Sequence, residues 1–307
     1  MSSPFGPLRL IVNPRSGRGA VGKTLPVLTD ALRAKGLEFD IVQTTGAKHA
    51  TQAAREALES GIRYLVAVGG DGTVHEVANG MFNGTTPIRD DAVLGVAAAG
   101  SGSDFVRTFG LDRKPEVIAR HLSGDATMDI DVGVVDYVSE LGEPGRSLFV
   151  NIAEAGYGAE VVRRAEKFPR WMGRLRYLIG AYAAIAGGKR PIGTVKVAHT
   201  ETTVPIVELV VANCQFFGGA MKVAPRALPD DGKFNVQIFT GQRSQMFTMT
   251  MKLFRGEHLP HPDITEYQSS TVELAPEPAL LVEADGEVLG YTPAKFSLME
   301  RALTLKI

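Results

Sequence analysis

The stretch that most constrains this chain is "RYLVAVGGDGTVHEVANG", residues 63–80. Leu65, Val66, Ala67 and Val68 form an apolar run without alternation, the pattern of a strand buried on both faces. It enters Gly69-Gly70-Asp71-Gly72-Thr73. Helical spacing follows, with Val74, Val77, Ala78 and Met81 on one face and His75, Glu76 and Asn79 on the other. Glycines let a backbone approach a ligand, and a helix start offers N–H groups suited to phosphate. A carboxylate in that position repels phosphate unless a metal ion or a proton-transfer role accompanies it.

The same rhythm runs through residues 8–125. "LRLIV" (8–12) leads through "NPRSGRG" to helical spacing over 20–35, and "EFDIVQT" (38–44) precedes a helix near 49–60. "AVLGVAAAG" (92–100) precedes "SGSDFVRTFG". Short apolar strands alternating with amphipathic helices predict a parallel sheet covered on both faces, with ligands gathered at the carboxyl ends of the strands. After about residue 125 the texture changes. Segments such as "ATMDIDVGVVDYV", "LFVNIAEAGYG", "GTVKVAHT", "VPIVELVVAN", "FNVQIFT" and the closing 279–307 read as strands joined by turns. A helical island over 159–187 interrupts them, and a further helix is expected at 243–254. The expectation is an α/β domain over 1–125 and a mainly antiparallel β-rich domain over 126–307, with the last residues free to return to the first.

At 307 residues the chain is long enough for two cores. A formal net charge of −1 gives no basic field for nucleic acid. Cys214 is the one cysteine and sits in an apolar run, which fits a core position in a reduced, cytoplasmic setting. The start "MSSPFGPLRL" lacks the pattern of a secretory signal, and no apolar run reaches the length that spans a bilayer, so a soluble protein is expected.

Five turns carry the chemistry. In "NPRSGRG", Asn13, Ser16 and the amides around Gly17 can hold a phosphate or simply cap the next helix; the Walker pattern is absent. In "GGDGT" the amides can hold nucleotide phosphates while Asp71 engages Mg²⁺ or a substrate hydroxyl, against a plain turn capped by Asp71 and Thr73. "GSGSDF" (100–105) is a binding loop or a helix cap. "ADGE" (284–287) is a D-G hairpin, or it presents Glu287 as a general base. "LPDDGK" is a solvated turn, or it supplies oxygen ligands to a hard cation.

In order and spacing, "NPRSG", "VGGDGTVHEVANG", "GSGSDFVR", "FFGGAMKVAPRALPDDGKFNV" and "ADGE" resemble the diacylglycerol kinase catalytic family. That family includes bacterial lipid kinases and sphingosine kinases and is related in fold to NAD kinases and phosphofructokinases. The resemblance covers nearly the whole chain. It implies an N-terminal nucleotide domain, a β-rich C-terminal domain, and transfer of phosphate from ATP to a lipid hydroxyl.

By position, the resemblance assigns Asn13, Pro14, Arg15, Ser16, Gly17, Thr44, Gly70, Asp71, Gly72, Thr73, Val74, His75, Glu76 and Ser101 to the nucleotide. It gives Glu287 the place of the catalytic base, with Asp71 beside it. Leu228, Asp231 and Lys233 take the place of a structural Mg²⁺ site, the outer two through their carbonyls. The sequence departs from the family at Ser103, where an asparagine is usual, and at Gly158, where an aspartate is often found.

The helical island contains an apolar stripe of Trp171, Leu175, Leu178, Ile179 and Tyr182, with Arg170, Arg174 and Arg176 at its start. That pattern fits either a core helix or peripheral docking on an anionic membrane, and "GQRSQMFTMTMKLFRG" (241–256) is a second such segment. The reading is an ATP-dependent lipid kinase that meets its substrate at a membrane surface, with a homodimer left open. The alternatives are an NAD kinase-like enzyme and a nucleotide- or lipid-binding regulator without turnover.

Overall fold

The structure is a computed structural model that describes residues 3–98, 103–169, 172, 174–186 and 190–307. The chain divides into two units. One runs to Asp131 and includes Glu300–Ile307, and the other is Val132–Met299.

The first unit alternates strand and helix. β1 (Leu8–Val12), a short 3-10 turn (Ser16–Gly19) and α1 (Ala20–Ala34) are followed by β2 (Phe39–Gln43), α2 (His49–Glu59), β3 (Tyr64–Gly69) and α3 (Asp71–Gly80). A small hairpin of β4 (Phe82–Asn83) and β5 (Thr86–Pro87) leads to β6 (Val93–Ala98), α4 (Asp104–Thr108) and α5 (Pro115–Ser123). The sheet order is β2-β1-β3-β6 with every pair parallel. β3 and β6 are buried along their whole length, as their unbroken apolar sequence requires. Leu10, Val12, Val66 and Val68 pack on Leu28 and Leu32 of α1 and Ile118 and Leu122 of α5.

α3 is buried more fully than its sequence pattern implies. His75 lies on the face read as polar and is only 8% exposed. α2 packs there so closely that a Cβ on Gly80 would meet the Thr51 carbonyl.

β7 (Thr127–Val138) carries the chain into the second unit. There follow β8 (Pro144–Phe149), β9 (Ile152–Gly156), α6 (Tyr157–Glu166), α7 (Arg174–Ala186), β10 (Ile192–Val197), β11 (Thr200–Pro205) and β12 (Glu208–Ala212). β13 (Phe234–Phe239), α8 (Arg243–Arg255), β14 (Ile264–Ser269), β15 (Thr271–Glu277) and β16 (Leu281–Ala284) precede β17 (Glu287–Lys306), which returns the chain to the first unit. There Thr304 and Leu305 of β17 pair in parallel with Val93 and Leu94.

Within the second unit the pairing is antiparallel. One run is β14-β13-β12-β9-β16-β17, and a second joins β11, β10 and β15 to β17. Phe149, Phe234 and Phe296 centre the core between them, with Phe149 stacked on Phe234 at 5.5 Å. This is the expected pair of an α/β domain with a parallel sheet and a mainly antiparallel β domain.

Three local details differ from the sequence reading. The island is two helices, α6 and α7. The segment 148–158 is not one strand, because the amides of residues 150–152 turn away to bond the Asp285 carboxylate. β15 is an alternating strand despite Pro276, whose approach to β10 requires a glycine at position 193.

Candidate active site

In the first unit the loops after β1, β2 and β3 leave adjacent parallel strands in register, since Val12 pairs with both Gln43 and Val68. Asn13 N–H bonds the Val68 carbonyl at 3.0 Å, and Thr44 N–H bonds the Val12 carbonyl at 2.8 Å. The Asn13 side chain folds its own loop by accepting the Arg15 N–H at 3.1 Å. Pro14 and Ser16 are half-buried there, while Arg15 and Gly17 are exposed, Gly17 with φ +59°.

The glycines beside Asp71 are not there for a left-handed turn, since neither Gly69 nor Gly70 has positive φ. A Cβ on Gly69 would overlap Thr73, and one on Gly70 would sit 3.2 Å from Ser16 Oγ. Gly70 therefore brings the first and third loops against each other. Among the described residues, the Thr73 hydroxyl is buried without a hydrogen-bond partner, and so is that of Ser103.

Asp71 begins α3, with Gly70 as its extended N-cap. Its two oxygens accept the N–H groups of Asp104 and Phe105, each at 3.0 Å. The carboxylate thus ties the third loop to the start of α4. The Glu76 Oε2 accepts the Ala50 N–H at 3.0 Å and so caps α2, just past the loop that follows β2. Val74 is core, and His75 receives Asn79 on its carbonyl at 2.9 Å. Gly100, Ser101 and Gly102 lie outside the described residues.

In the second unit Glu287 opens β17 opposite Ala284 and is exposed. The turn between them has Asp285 at φ 52° and Gly286 at φ 89°, the two left-handed residues of a type I′ hairpin. Two buried carboxyls that the sequence reading passed over hold this turn. Asp285 accepts N–H groups from Val150, Asn151 and Ile152 at 3.0, 2.9 and 3.2 Å, and Glu283 accepts that of Gly286 at 2.7 Å.

Glu283 belongs to a cluster. It pairs across the sheet with Glu154, and Glu208 lies diagonally from Glu154 on the neighbouring strand. All three point to the same side, where α6 covers them, and all are buried. Glu208 accepts the Gly158 N–H at 2.6 Å. A Cβ on Gly158 would fall inside the Glu154 carboxyl. The acid missing at position 158 is thus replaced in space by Glu154. Burial pushes the Glu154 carboxyl up to about 7. It raises Glu208 and Glu283 well above the ordinary range, with the neighbouring Glu154 adding to it.

Asp231 lies in an exposed turn with Gly232 at φ 72°, and its Oδ1 accepts the Lys233 N–H at 3.0 Å. Leu228 and Lys233 are exposed beside it. Among the described residues no three His, Cys, Asp or Glu side chains gather in a geometry that holds a metal. Cys214 is buried against the Val150 carbonyl.

Residues 7–135 match the model of the diacylglycerol kinase catalytic domain, and residues 151–307 match the YegS C-terminal NAD kinase beta sandwich-like domain. The chain belongs to this family of lipid kinases.

Among its relatives is the protein described as "Probable lipid kinase YegS-like" from Chromohalobacter salexigens, 30% identical, with 96% of this chain and 91% of that one covered. A diacylglycerol kinase of Bacillus subtilis is 26% identical over 94% of this chain and 92% of its own. The fold is shared with a crystal structure of a diacylglycerol kinase from Bacillus anthracis, at a TM-score of 0.74 and 21% identity. That match covers 99% of this chain and 97% of the other.

Proposed function

We propose that this chain transfers the γ-phosphate of ATP to the hydroxyl of diacylglycerol or a similar lipid, as a peripheral cytoplasmic protein. The observation that carries this reading is the meeting of the "NPRSG" and "GGDGT" loops at the carboxyl ends of neighbouring parallel strands. There Gly70 lets the third loop approach Ser16 of the first, and the buried Thr73 hydroxyl has no partner among the described residues. An unsatisfied buried donor among close-approach glycines fits a phosphate.

Ser16, Gly17, Gly70, Gly72 and Thr73 are the groups proposed to bind the nucleotide directly, with Pro14, Arg15 and Thr44 around them, and Ser101 is assigned to it from the family resemblance. Asn13, Val74, His75 and Glu76 serve by shaping the loops: Asn13 folds the first, and Glu76 locks α2 against α3. Asp71 orders the start of α4 and places negative charge near the phosphates.

Mg²⁺ carried with the nucleotide would neutralise that charge and stabilise the transferring phosphoryl group. A second, structural Mg²⁺ is assigned to Asp231 and the carbonyls of Leu228 and Lys233, a donor set of hard oxygens suited to that ion.

Glu287 is assigned the base. It takes the proton from the lipid hydroxyl as that oxygen forms its bond to the γ-phosphorus and ADP departs in line. Phosphoryl transfer depends on positioning, and the doubly anchored hairpin gives Glu287 a fixed backbone. The test is transfer of labelled phosphate from ATP into a total lipid extract, with NAD offered in parallel and the product identified by mass spectrometry. A labelled phospholipid supports the reading, and labelled NADP in its place contradicts it.

A further inference from the structure

Two helices of the second unit each have two apolar sides. Leu175, Leu178 and Tyr182 recur at i, i+3 and i+7 along α7, and Phe247, Met251 and Phe254 at i, i+4 and i+7 along α8. All six are exposed, by 45% to 65%, and they are half of the twelve large apolar residues exposed among the described residues. The two stripes form one surface, because the rings of Tyr182 and Phe247 lie 5.1 Å apart.

The inner sides of the same helices are already occupied. Ala184 of α7 and Met249 of α8 pack with Tyr157, Val207 and Phe239. A helix that fills the core with one side ordinarily shows water a polar opposite side, and a contiguous exposed apolar patch marks an interaction surface.

Charge identifies the occupant. The sequences of α7 and α8 contain four arginines and one lysine, with no aspartate or glutamate. Arg243 is used internally, bonding both oxygens of Glu160 at 3.0 and 3.1 Å. Lys252 and Arg255 are exposed beside Met251 and Phe254, and Arg255 has only a loose pair with Glu257 at 3.9 Å. Apolar side chains flanked by cations suit an anionic bilayer, whereas a second copy of this surface would bring the same positive charge. Arg170 and Trp171, which the sequence reading added to this stripe, lie outside the described residues.

We infer that the outer faces of α7 and α8 together form the surface on which this protein docks to an anionic membrane. The inference rests on the lipid-kinase reading for its purpose, and its test separates the two.

Sedimentation with vesicles of equimolar phosphatidylglycerol and phosphatidylcholine is compared with vesicles of phosphatidylcholine alone. Wild type is expected to bind the anionic vesicles, less so as salt rises. Met251→Ser with Phe254→Ser, and separately Lys252→Glu with Arg255→Glu, should each weaken binding by about tenfold or more. Phosphorylation of a short-chain diacylglycerol free in solution should be unchanged by either pair. Variants that bind as wild type does, or a wild type that ignores anionic vesicles, overturn the surface. So does a dimer in sedimentation velocity that the Met251/Phe254 pair dissociates. Failure to phosphorylate the soluble lipid would count against the kinase reading and leave vesicle binding to be judged separately.

Discussion

Asp71 shows how one residue resolves a conflict visible in the sequence. A carboxylate among glycines proposed to bind phosphate is unfavourable by itself, yet here both oxygens receive backbone N–H groups from the start of α4. Asp71→Ala should therefore do two things. Leaving those amides without their acceptor should cost about 1–3 kcal/mol in urea unfolding. Losing a charge-positioning group should slow phosphate transfer at least ~10²-fold. Asp71→Asn keeps one acceptor oxygen and should recover part of the stability. An alanine variant with wild-type unfolding and turnover would remove Asp71 from the account. The oddity of this residue was legible in "GGDGT", but its partners were not, because they lie 33 and 34 residues along the chain.

At the scale of elements, the three glutamates under α6 make stability depend on pH. The folded chain holds its Glu154 proton up to about pH 7, against an ordinary 4.5, so it binds more protons than the unfolded chain across that window. The corresponding stability is complete below pH 4.5 and is lost as the pH rises through 7. Glu208 and Glu283 act in the same direction. Glu154→Gln should shrink the loss of unfolding free energy between pH 5 and pH 8 by about 3 kcal/mol, at 1.36 kcal/mol per pH unit. Equal losses in both proteins would contradict the protonated cluster.

Gly158→Asp should destabilise, because its Cβ needs the space of the Glu154 carboxyl, and Glu154→Ala in the same chain should restore part of that loss. Simple additivity in the double-mutant cycle would mean the two positions do not compete. Gly158 stood out in the sequence, but its contact with Glu154 did not. Glu154 sits between alanines and reads as the wet side of a strand; only the packing of α6 over that side makes it a buried acid.

For the molecule as a whole, the class of fold could be read from periodicity: unbroken apolar strands between helices for the first unit, alternation and turns for the second. The strands missed were those whose sequence carries breakers, such as β15 with Pro276, and the kink at residues 150–152 that the distant Asp285 imposes. Ligand linkage tests the assignment of Asp231. If that turn binds Mg²⁺, the ion should raise the melting temperature of wild type, and Asp231→Ala should erase most of the rise. An identical Mg²⁺ response in both would leave it a solvated turn.

The central claim is that this chain moves a phosphoryl group to a lipid hydroxyl with Glu287 as base. Glu287→Gln keeps the hairpin and its anchors but cannot take a proton. The decisive measurement is kcat against pH for wild type and this variant, with ATP affinity measured by calorimetry alongside. The account predicts nearly constant ATP affinity, turnover lower by roughly 10²–10⁴-fold, and loss of the acidic limb of the pH profile in the residual rate. A glutamine variant with normal turnover and an unchanged profile would contradict it.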